Sequence, residues 1–113
     1  MKPEITLIYD ANCPNASEAR ASLREALDRL GLEPEWVEYD RATLGRQETF
    51  LRYGSPTILV DGADVAGETP TAAAACCRIY SDVRRLRGAP RVGAIVDAIM
   101  RSRATAREAA RGR

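Results

Sequence analysis

The chain predicts an α/β layered domain in the order β-α-β-α-β-β-α, followed by an additional C-terminal helix. Three observations carry this. Short runs rich in apolar and β-branched residues alternate with runs whose apolar residues recur every three or four positions. A length of 113 residues suits one core and not two. No linker or internal repeat divides the chain, so residues 1–100 are taken as one domain and 101–113 as a basic C-terminal tail.

The first strand is read over residues 4–9, where Ile5-Thr6-Leu7-Ile8-Tyr9 form a short buried pattern. Asp10-Ala11-Asn12 make a loop, and a helix is expected from Pro14. Its apolar face is Ala19, Leu23, Ala26, Leu27 and Leu30, and Gly31 stops it. Pro34 to Tyr39 reads as a second strand centred on Trp36 and Val37. Thr43 to Tyr53 reads as a second, weaker helix ending at Gly54. If the first three strands are parallel, these two helices supply the crossovers.

Thr57-Ile58-Leu59-Val60 is almost wholly apolar, as expected for a central strand covered on both faces. Asp61-Gly62 is a hairpin turn, and Ala63 to Ala66 an edge strand. An alanine-rich helix is expected from Thr71 to about Tyr80, carrying Cys76 and Cys77. Ser81 to Arg91, polar and basic with Gly88 and Pro90, reads as a loop. Val92, Ile95, Val96, Ile99 and Met100 form an amphipathic helix. Beyond it the tail keeps helix-forming residues, loses its apolar face, and is expected to fray or project into solvent.

Composition narrows the function classes. The net charge of +1 argues against general attraction to nucleic acid. The arginines at 78, 84, 85, 87 and 91 read as a solvated surface without interleaved aromatics. No apolar stretch reaches membrane-spanning length, and Met1-Lys2-Pro3-Glu4 runs into a strand without a signal-peptide core. A cytoplasmic location is the expectation. With no histidine, Cys-His pairs, Ser-His triads and His-ligated zinc are excluded. Three cysteines argue for thiol chemistry rather than a disulfide framework.

Cys13 is the leading site residue. It lies between the first strand and the first helix, where the partial positive charge of a helix N-terminus stabilises a thiolate. Pro14 suits the first helical position, which needs no N–H, and Cys13 would then cap the helix. Three residues on, where a dithiol site has its second cysteine, stands Ala16. A resolving thiol must come from solution or from Cys77 or Cys76, which point about 100° apart on a helix. Asp10 reads as a loop residue making a local hydrogen bond; a carboxylate beside a thiol disfavours the thiolate.

Two segments carry a family resemblance over roughly residues 4–80. Cys13-Pro14-Asn15-Ala16 resembles the glutaredoxin Cys-Pro-x-Cys site without its second cysteine. Ser55-Pro56-Thr57-Ile58-Leu59-Val60-Asp61-Gly62-Ala63-Asp64-Val65-Ala66-Gly67 resembles the glutaredoxin run of proline, strand, turn, short strand and Gly-Gly. The chain is thus similar to the thioredoxin superfamily, in its glutaredoxin-like branch. The resemblance implies a thioredoxin-like fold, with Pro56 cis against Cys13. It further implies that the Ser55 backbone docks a thiol substrate, with Pro14 and Thr57 beside it. The expected activity is monothiol thiol–disulfide exchange or deglutathionylation by Cys13, with no cofactor and glutathione as a co-substrate. Two other readings stand beside it. One is a binding protein holding a soft metal or organomercurial through its thiols, which suit such ions. The other is a non-catalytic thioredoxin-fold interaction module, with the exposed edge at Ala63 to Ala66 open to strand pairing.

Overall fold

A four-stranded mixed sheet in the order β2-β1-β3-β4 forms the frame of the domain. The computed structural model describes residues 2–43, 53–67, 80–81 and 86–111. The strands are β1 (Ile5–Tyr9), β2 (Val37–Asp40), β3 (Thr57–Val60) and β4 (Ala63–Asp64). A separate two-stranded hairpin pairs β5 (Tyr80–Ser81) with β6 (Leu86–Arg87). The described helices are α1 (Ala16–Arg29) and α2 (Val92–Arg111), with a 3₁₀ turn at Arg41–Thr43.

β1 and β2 are parallel, with α1 as the crossover between them. β3 runs antiparallel to β1, in the register Ile5↔Val60 and Leu7↔Ile58. Among the described residues only one parallel crossover is therefore present, and β3 runs in the opposite sense to β2. Nothing in a uniformly apolar strand specifies its direction, because its side-chain pattern reads the same both ways.

Strand alternation divides the core into two faces. Ile5, Leu7, Ile58 and Val60 face one way and pack with Ala19, Leu23, Ala26 and Leu27 of α1 and Ile95, Ala98 and Ile99 of α2. Leu7, Leu23, Ile58, Ile95 and Ile99 are fully buried. Each such side chain contributes about 1.5–3 kcal/mol. On the other face Ile8 and Leu59 pack with Tyr53.

α1 ends in a Schellman motif. Leu32 N–H donates to Leu27 C=O at 2.9 Å and Gly31 N–H to Asp28 C=O at 3.1 Å, with Gly31 at φ +67°. Leu32 then packs on the core. Asp61 and Gly62, with φ of +50° and +86°, make the two-residue β3–β4 turn. Its backbone is tied to the start of β1: Asp61 N–H donates to Glu4 C=O at 2.7 Å, and Glu4 N–H to the Asp61 carboxylate at 2.8 Å.

Several boundaries differ from expectation. β2 begins at Val37, so Trp36 lies outside it; the indole donates to Glu38 at the sheet edge at 2.9 Å. β4 is limited to Ala63–Asp64, because the Asp64 side chain and carbonyl accept from Ala66 N–H and Gly67 N–H and turn the chain away. Ser81 to Arg91 is not a plain loop, since it includes β6 and part of β5. Tyr80 belongs to β5 rather than to a helix end. The tail takes the helical of its two expected forms: α2 continues past Met100 to Arg111, sustained by strong helix formers where packing no longer decides. Of the expected helix at 43–53, Thr43 ends the 3₁₀ turn and Tyr53 lies in a bend; 44–52 lie outside the described residues, as do 68–79 with Cys76 and Cys77.

Candidate functional site

Cys13 sits at the carboxyl end of β1, in the turn that feeds α1. Its N–H donates to Asp10 C=O at 2.9 Å, and its C=O accepts from Ala16 N–H at 3.4 Å. Asn15, at φ −89° and ψ −4°, has the geometry of the third residue of a type I turn. Pro14 then occupies the second position, which its fixed φ favours. This corrects the expected helix start. Pro14 is a turn residue, Asn15 rather than Cys13 is the N-cap, and helical geometry begins at Ala16. Cys13 is only 6 % exposed, while Ala11, Asn12 and Pro14 around it are exposed.

The loop leading into β3 lies directly against the thiol. The Cys13 S–H donates to Ser55 C=O, with Sγ 3.8 Å from the oxygen. The Ser55 hydroxyl in turn accepts from Asp10 N–H at 2.9 Å. Asp10, Cys13 and Ser55 therefore close a ring of three hydrogen bonds that joins the two segments. The Ser55–Pro56 peptide is cis. The Thr57 hydroxyl donates to Gly54 C=O at 2.6 Å, and the Tyr80 hydroxyl donates to Pro56 C=O. Ser55, Pro56 and Thr57 are fully buried, so their polar groups depend on these partners.

Asp10 is paired. Its carboxylate accepts from the Arg41 guanidinium at 2.9 Å, with side-chain exposures of 24 % and 14 %. The parallel register Tyr9↔Asp40 places the next residues of both strands, Asp10 and Arg41, side by side. The pair is close to neutral as a unit, so the charge opposing a thiolate at Cys13 is offset by Arg41.

A second charged cluster fixes α1 on the sheet edge. Arg20 donates to both Glu38 oxygens, at 2.9 and 3.0 Å, and lies 4.9 Å from the centre of the Tyr9 ring. These Arg20 bonds hold the Glu38 carboxyl below its ordinary value of 4.5; partial burial opposes the shift and the Trp36 indole adds to it. The cluster belongs to the scaffold rather than to the thiol site.

The structure thus brings Cys13, Ser55, Pro56 and Thr57 into one place, with Pro14 exposed beside them. Three contributors were not singled out from the sequence. Arg41 has no local signal, because its contact depends on strand register. Tyr80 had one: a buried tyrosine needs a partner for its hydroxyl. Gly88 after β6 abuts the Asn15 amide, where a side chain would collide. Two open grooves, of about 360 and 920 Å³, lie beside the connection from α1 to β2 and along α1, and neither includes Cys13. Among the described residues no cluster of Cys, Asp or Glu is arranged to hold a metal ion, and no helix is long and apolar enough to cross a membrane. Comparisons with protein-family models, curated proteins and solved structures found no match.

Proposed function

We propose that this chain is a thioredoxin-like domain of the glutaredoxin type that performs monothiol chemistry at Cys13. The observation that carries the proposal is the contact between Cys13 Sγ and the Ser55 carbonyl, immediately before Pro56. The sequence resemblance implies this juxtaposition across 42 residues of chain. The parallel β1–β2 pair with α1 between them supports the same reading.

The chemistry is a balanced exchange. The Cys13 thiol gives up its proton to water and loses its bond to Ser55, and the partial positive charge at the amino end of α1, which starts at Ala16, favours the thiolate. The thiolate attacks one sulfur of a substrate–glutathione mixed disulfide. The S–S bond breaks, the substrate sulfur leaves as a thiolate and takes a proton, and Cys13 is left joined to glutathione. A second glutathione thiolate attacks the glutathione sulfur of that adduct. Glutathione disulfide departs and the Cys13 thiolate returns, so one free glutathione thiol is consumed for each substrate thiol released, the other half of the glutathione disulfide coming from the mixed disulfide itself. Ser55 and Thr57 hold the dock for the substrate backbone, and the neutralised Asp10 removes a local penalty on the anion.

The test is oxidation of the folded chain with glutathione disulfide, followed by intact mass and peptide mapping. A glutathione adduct on Cys13, or a disulfide from Cys13 to Cys76 or Cys77, is expected. Cys13→Ser should abolish reduction of a mixed disulfide. A Cys13 that reacts only after unfolding would assign the chain to the non-catalytic interaction class and overturn the proposal.

A further inference from the structure

We propose that the outward face of α2 is a self-association surface, on which two copies of this chain pair antiparallel about a two-fold axis near residue 102. The inference is independent of Cys13. It starts from the two faces of α2. Ile95, Ala98 and Ile99 point into the core, and turning the helix by 100° per residue puts Gly93, Asp97, Met100, Ala104 and Arg107 on the opposite side. Asp97, Met100, Ala104 and Arg107 are exposed, and among the described residues Met100 is one of two large hydrophobic residues left open, at 55 %.

The spacing of this stripe is 4, 3, 4 and 3 residues, which is the spacing of a two-helix coiled-coil seam, here with an apolar centre at Met100 and Ala104 flanked by opposite charges at Asp97 and Arg107. It is also symmetric under reversal. In an antiparallel pair centred on residue 102, Asp97 of each copy meets Arg107 of the other, and Met100 of each packs on Ala104 of the other. Each contact occurs twice, as a two-fold interface requires. Both charged residues are available for it, because neither Asp97 nor Arg107 forms an ion pair within the chain among the described residues. Small Ala104 leaves room for the long methionine.

Charge at the helix ends agrees. The last turns of α2 carry Arg101, Arg103 and Arg107 against the single acid Glu108. The start of α2 borders the open groove on α1 through Val92, and that groove is lined by three acids, Glu18, Glu25 and Asp28, against one base, Arg24, with Glu25 also paired to Arg29. Antiparallel pairing brings the basic end of each copy towards the acidic groove of the other. One helix pair is at the small end of specific interfaces, so association with a dissociation constant on the order of 100 µM is expected.

Sedimentation velocity from about 10 µM to about 1 mM spans that affinity. The wild-type chain should shift from monomer to dimer. Asp97→Arg and Arg107→Asp should each weaken the dimer by about tenfold, because each places like charges opposite one another twice. The double variant should restore affinity to within about threefold. Met100→Glu should abolish the dimer with an unchanged circular dichroism spectrum, since the side chain lies outside the core. Three results would overturn the proposal: a monomer throughout the range, a dimer indifferent to the single swaps, or a double variant as weak as the singles. A monomer whose α2 arginines instead bind heparin would assign the face to a polyanion.

Discussion

Replacing Ser55 by alanine tests whether the hydroxyl of this residue is what holds the thiol turn to the strand entry. Ser55 is fully buried, and its hydroxyl accepts the Asp10 amide at 2.9 Å. Alanine removes one oxygen and leaves a cavity too small to matter. The cost therefore comes from hydrogen bonding. The net value of the bond is about 0.5–1.5 kcal/mol, and a buried donor left unmade raises the loss to about 1–3 kcal/mol. Asp10 is only partly buried, so water reaches some of the site and a loss of about 2 kcal/mol is expected. Urea unfolding measures it, with an unchanged slope required for the comparison to stand. Amide hydrogen exchange localises it: the Asp10 N–H should lose protection, while the N–H groups of β1 paired with β3 should keep theirs. A destabilisation under about 0.5 kcal/mol with an unaltered Asp10 amide would refute the assignment of the ring of three bonds.

Two further perturbations address the scaffold. Glu38→Gln should cost about 1 kcal/mol at pH 7, since it removes a two-bond ion pair with Arg20 that is partly exposed. The folded carboxyl is held below its ordinary 4.5, so this stabilisation is complete above that pH and disappears as pH falls through the lower folded value. The gap between variant and wild type should accordingly close in acid, and a gap constant from pH 7 into that window would count against the pair. Leu23→Ala empties a fully buried position between α1, the sheet and α2 and should cost about 2–5 kcal/mol in the same urea assay. A loss below about 1 kcal/mol would mean that α1 is not packed as described.

Part of the architecture was legible because it depends on near neighbours. The pattern of β1 and the face of α1 are set by side-chain periods within a dozen residues, and the described burial follows them at Ala19, Leu23, Ala26 and Leu27. Gly31 stops α1 by occupying the left-handed conformation that its lack of a Cβ allows, and Asp61-Gly62 turns the chain for the same kind of reason. The α1 boundary was less legible. Pro14 fits both a first helical residue and the second residue of a type I turn, and the Cys13–Ala16 bond selects the turn.

Cys13 is nominated by its place between a strand pattern and a helix pattern, where loops collect chemistry, whereas Ser55, Pro56 and Thr57 are nominated by the resemblance of their run to that of glutaredoxins. What the amino-acid order by itself determined was the kind of element formed at β1, α1, β3 and the first turns of α2, together with the turns at Gly31 and Asp61-Gly62. These follow from backbone preference and side-chain period. Only the tertiary structure decided that β3 runs antiparallel to β1, that the Ser55 carbonyl meets the Cys13 thiol, and that Arg41 rather than solvent faces Asp10. Tyr80 closing on Pro56 is of the same kind. Strand direction and register are chosen by the whole core at once. A contact between residues 24 to 42 positions apart has no local period from which it could be read.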